Sequence, residues 1–72
     1  MLYDQGDPDG AISEYRHAIR LDRDLATAHY HLGVALEASG NRKGALKEYR
    51  RARDLEPDDS DHRAAYERLS RE

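Results

Sequence analysis

The chain repeats itself, and this limits what it can fold into more than any other feature. The segment Gly10-Ala11-Ile12-Ser13-Glu14-Tyr15-Arg16-His17-Ala18-Ile19-Arg20-Leu21 aligns without gaps on Gly44-Ala45-Leu46-Lys47-Glu48-Tyr49-Arg50-Arg51-Ala52-Arg53-Asp54-Leu55. Gly, Ala, Glu, Tyr, Arg, Ala and Leu recur at the same places. The same offset pairs Leu2 with Leu36, Gly6 with Gly40, and Asp24 with Asp58. A constant period of 34 residues is the length of a helix–turn–helix unit stacked in series.

Each unit reads as two helices. Leu32, Ala35 and Leu36, and after a turn Ala45, Leu46, Tyr49, Ala52 and Leu55, fall at helical spacing. Gly40 suits the left-handed position past a helix end, and Asn41 suits the cap of the next helix. Gly6, Asp7 and Pro8 take these parts in the first unit, with Pro8 at a first helical position where its missing N–H costs nothing. Pro57 ends the second unit, because the residue before a proline is pushed out of helical geometry. A last helix opens under Asp58, Asp59 and Asp61 and closes with Arg68 and Arg71, which complement its dipole. Gly33, Ala45 and Ala52 lie where helices must meet, and Tyr49 and Leu36 fill the space beside them.

These residues resemble the tetratricopeptide repeat family. The pattern W-x2-L-G-x2-Y…A-x3-F…P falls on His29, Leu32, Gly33, Leu36, Ala45, Tyr49 and Pro57. Leu32, Gly33, Ala45 and Pro57 match outright, Leu36 and Tyr49 are close substitutes, and His29 departs from tryptophan. The resemblance implies an all-α fold of antiparallel helix-turn-helix repeats, an α-solenoid fragment. Its expected divisions are a partial first repeat over 1–24, a complete repeat over 25–58 and a capping helix over 59–72. Glu67 in place of a second Gly33, with Ala65, Tyr66 and Leu69 as apolar stripe, makes the last helix a cap.

Solenoids usually need about three repeats for stability, more than this chain contains. Two explanations follow: it is the C-terminal piece of a longer solenoid, or it completes its core by self-association. In the second case the helix carrying Ala11, Tyr15 and Ala18 exposes apolar surface and a homodimer is expected.

Composition narrows the chemistry. With 72 residues there is one small domain, and a net charge of −3 argues against a chain built to hold nucleic acid or anionic membrane. No apolar run approaches a membrane span of about 20 residues, and no signal-peptide layout is present. Cysteine is absent, which excludes disulfides and thiolate metal sites. Together these make a cytoplasmic location the expectation.

His29 and His31 flank Tyr30 in the stretch HYHLG, yet residues two apart on a helix point to nearly opposite sides. No Asp, Glu or Cys stands at a suitable offset from either, and His17 and His62 read as isolated. No metal, cofactor or catalytic residue is expected. Serines lack motifs, carboxylates sit at caps and polar faces, and the glycines punctuate repeats.

What remains is binding. The resemblance implies a concave groove that holds a peptide or partner helix, lined by Thr27, Tyr30, Val34 and Glu37, with Tyr3 and Asp4 from the truncated unit. Asp61, Ala64 and Arg68 add to it from the last helix, and His31 lies toward its edge. Tyr30 is the expected anchor, with shielding of the helix pair as its structural alternative. The Lys, Arg and Asn clamp that some relatives use for chaperone tails is not assembled: Tyr30, Val34, His31, Asp61 and Ala65 hold those places. The alternative is electrostatic. Lys43, Lys47, Arg50 and Arg51 share a face that would contact RNA or an acidic protein, although acidic residues follow at once and no aromatics interleave.

Overall fold

The computed structural model describes residues 8–71. Four helices follow one another: α1 (Pro8–Leu21), α2 (Ala26–Ala38), α3 (Arg42–Leu55) and α4 (Ser60–Arg71). Among the described residues there is no strand. Each helix packs on its neighbour in sequence, α1 on α2, α2 on α3 and α3 on α4, as short antiparallel connections require. Leu2, Tyr3, Asp4, Gly6 and Asp7 lie outside the described residues.

Local chemistry sets the boundaries. Gly40 has φ +93°, a left-handed conformation that side chains resist. Its N–H and that of Asn41 donate to the carbonyls of Glu37 and Leu36, closing α2. The Asn41 side chain then accepts from the Gly44 N–H at 2.9 Å and caps α3. Asp59 caps α4, with Oδ1 accepting from the N–H groups of Asp61 and His62 at 2.9 and 3.2 Å. Leu25 stands at the equivalent place before α2 and makes no side-chain cap. Instead His29, one turn into α2, donates from Nε2 to the Arg23 carbonyl at 2.9 Å, pinning the incoming loop.

The central helix is α2. It buries Ala28, Leu32 and Ala35 on one side and His29, Gly33 and Leu36 on another, because neighbours cover it from both directions. Leu32, Leu36, Ala45, Tyr49, Ala65 and Leu69 form the core. At its centre the Tyr49 ring presses close to Gly33: a Cβ on Gly33 would stand 2.6 Å from Tyr49 Cε1. The apolar side of α1 is less open than the truncated repeat implies. Ala11 is buried and Ile12, Tyr15, Ala18 and Ile19 are half-buried, while Leu21 is exposed.

Candidate functional site

Tyr30 and Val34 stand one turn apart on α2, so their side chains share a face. Both are half-buried. With Glu37 from the last turn of α2, and Asp61, Ala64, Ala65 and Arg68 from α4, they line a depression of about 420 Å³ floored by Tyr49. Tyr30 reaches three rings: Tyr49 at 5.8 Å between centroids, His62 at 5.0 Å and His31 at 5.5 Å. These spacings suit tilted and edge-on aromatic packing. The tyrosine is therefore held from behind while part of it remains open.

One end of the depression is closed by a polar bracket. Arg68 donates through both terminal nitrogens to the two carboxylate oxygens of Glu37, each at 2.8 Å. The Tyr49 hydroxyl donates to the same carboxylate at 2.9 Å. This fork is the strong, geometrically specific kind of ion pair, and it ties α4 to α2 across 31 residues of sequence. The hydrogen bond from Arg68 holds the Glu37 carboxyl below its ordinary value against the opposing pull of partial burial, and the Tyr49 bond adds to it. Burial first, then the bond to Glu37, pushes the Tyr49 hydroxyl well above its usual range.

The other expected groove residues separate. Thr27 is exposed near the start of α2 and His31 is half-buried, and neither lines this depression. His31 instead stacks on Tyr15 of α1, with centroids 5.5 Å apart and planes 19° from parallel. Tyr3 lies outside the described residues.

Two histidine readings require correction. His29 has a carboxylate partner after all: its Nδ1 stands 2.7 Å from Glu48 Oε1 on α3. That residue is 19 positions away, beyond any offset along one helix. His62 is not isolated either. It is buried, and one ligand atom from each of Glu56, Asp59 and His62 lies within 4.8 Å of the others. The Asp59–His62 spacing of three stands in the sequence, where Asp59 reads as a helix cap.

A larger depression of about 560 Å³ lies between α1 and α3, lined by Ile12, Ile19, Leu32 and the His29–Glu48 pair. Tyrosine is absent from its lining, and the amphipathic anchors that peptide recognition favours are in the α2–α4 depression. Lys43, Lys47, Arg50 and Arg51 are all exposed on α3. Glu48 and Asp54 stand among the last three. Arg53 is engaged, bonded to Asp54 at 3.0 Å and lying 4.4 Å over the Tyr66 ring. Among the described residues no helix is long and apolar enough to cross a membrane.

Comparison with known proteins bears on these features. Curated proteins give no significant match. Two family profiles do match, one described as TPR repeat over residues 1–40 and one as tetratricopeptide repeat over residues 26–59. Together they span residues 1–59, and the chain belongs to the tetratricopeptide repeat family, whose repeats generally serve as protein–protein interaction modules.

Proposed function

We propose that this chain is a non-catalytic binding module that takes an extended peptide or a partner helix in the α2–α4 depression. The observation that carries the reading is the convergence of Tyr30, Val34, Glu37 and Arg68 from two helices on one concavity, with Ala64 on its wall. The ligand it suits offers one apolar side chain to Tyr30, Val34 and Ala64. Asp61, exposed at the rim, favours a basic residue beside that anchor. The Glu37–Arg68 fork is internally neutralised, so it shapes the end of the groove rather than capturing a charged terminus.

The test is a selection of random peptides displayed on phage against the immobilised chain, followed by amide chemical-shift mapping with the best peptide. Shifts centred on Tyr30, Val34, Glu37, Ala64 and Arg68 support the reading. Shifts centred on Lys43, Lys47, Arg50 and Arg51, with affinity collapsing between low and moderate salt, would replace it with the electrostatic alternative.

A further inference from the structure

We infer that Glu56, Asp59 and His62 form a binding site for a single divalent transition-metal ion of the zinc type at the α3–α4 turn. The inference goes beyond the groove reading and does not depend on it.

The turn itself assembles the three residues. Glu56 ends α3, with its N–H bonded to the Ala52 carbonyl, and its own carbonyl accepts from the Asp59 N–H at 3.1 Å. Pro57 restricts the backbone between them. Asp59 uses Oδ1 to cap α4, which leaves Oδ2 turned toward His62 Nε2 at 3.8 Å. Two ligands on a tetrahedral zinc ion with bonds of about 2.0–2.1 Å stand roughly 3.3–3.4 Å apart. The Asp59–His62 edge is therefore within half an ångström of a zinc edge, too long for a hydrogen bond and nearly right for a shared cation. All three ligand atoms fall within 4.8 Å. Closing the remainder falls to the exposed Glu56 side chain.

His62 supplies the independent observation. Its side chain is only 5 % exposed; Nδ1 is buried without a hydrogen-bond partner among the described residues, and Nε2 faces Asp59 Oδ2 at 3.8 Å. A buried imidazole so poorly paired is costly. The ring also packs on Tyr30, whereas one repeat earlier the equivalent position is Ala28, also buried. Asp22 and Leu25 stand where the later turn has Glu56 and Asp59, so the earlier turn lacks the set. Imidazole with two carboxylates favours zinc, nickel or copper over magnesium or calcium. The two negative charges also balance a divalent ion when the imidazole is neutral. Nδ1 is enclosed without an acceptor, and a ligand histidine lacking that outer contact binds about 10–100-fold more weakly. The site is thus expected to be reversible rather than a folding requirement.

The test uses the whole chain titrated with zinc chloride in a non-chelating buffer, followed by calorimetry and by ¹⁵N spectra of the imidazoles. One equivalent should bind, shifting the His62 Nε2 resonance while those of His17, His29 and His31 stay in place. Glu56→Gln, and Asp59→Asn, which keeps a capping oxygen, should each weaken binding by about 10-fold or more. His62→Ala, copying the preceding repeat, should abolish it. The carboxylate variants decide the matter should His62→Ala fail to fold. The proposal is overturned by non-saturable binding, by unchanged affinity in both carboxylate variants, by equal affinity for calcium, or by a shift at another histidine.

Discussion

Gly33→Ala isolates the contact on which the packing of α2 against α3 depends. A methyl there would lie 2.6 and 2.7 Å from Tyr49 Cε1 and Cδ1 and 3.2 Å from Cζ. Carbon contacts are ordinary from about 3.4 Å upward, so the ring must retreat by most of an ångström. It has little freedom to do so. Tyr49 is 1 % exposed and its hydroxyl is anchored to Glu37 at 2.9 Å. Overpacking of this kind costs about 1–3 kcal/mol. Disturbing a hydrogen bond to a carboxylate adds about 1.5–3 kcal/mol where the bond is lost. Alanine recovers about 1 kcal/mol of helix propensity. The net expectation is destabilisation by about 1–3 kcal/mol, which at about 4–8 °C per kcal/mol for a domain of this size lowers Tm by roughly 5–20 °C. Thermal unfolding followed by circular dichroism measures it. A double-mutant cycle with Tyr49→Leu identifies the cause: with the ring gone, Gly33→Ala should become neutral or stabilising. An unchanged or raised Tm for the single variant would mean that Tyr49 does not hold this close contact with Gly33.

Other expectations follow from the same geometry. The Glu37 carboxyl is held below its ordinary value of 4.5, chiefly by Arg68. Its contribution to stability is therefore fully present above about pH 4.5 and is lost as the pH falls through the lower folded-state value. The difference in urea midpoint between the wild type and Glu37→Gln should shrink on acidification below that pH; a difference constant from pH 7 to 3 would contradict it. His29→Leu removes the partner of both the Arg23 carbonyl and Glu48. It should cost about 1–3 kcal/mol by chemical denaturation, and a neutral result would mean that the ring acts only as filler.

The fold was legible because its signals are local or periodic. Gly40, Asn41 and Pro57 act within a few residues of themselves, and the self-alignment of Gly10–Leu21 on Gly44–Leu55 needs no knowledge of contacts. Gly33 against Tyr49 followed from the same frame. The polar contacts across helices were not legible. His29 meets Glu48, and Arg68 meets Glu37, because packing brings α2 to α3 and α4 to α2; the groove expected from the sequence holds both Glu37 and Arg68 but does not pair them. His31 is expected toward the groove edge, and the turn of the helix stacks it on Tyr15. At the α3–α4 turn the residues stand close in sequence, but Asp59 reads there as a cap, and the direction of its second oxygen toward His62 is set by the folded turn.

Binding on the concave side, between α2 and α4, is open to a direct comparison of two variants. The most direct measurement compares the affinity of a selected peptide for Val34→Arg, which blocks that depression, with its affinity for Lys47→Glu/Arg51→Glu on the outer helix. Both proteins are first checked for native helicity. Val34→Arg should weaken binding by about 10-fold or more, the effect of a buried contact worth at least 1.4 kcal/mol, while the outer-helix variant stays within about twofold of wild type. The reverse pattern, intact binding to Val34→Arg and loss in Lys47→Glu/Arg51→Glu, would contradict the claim.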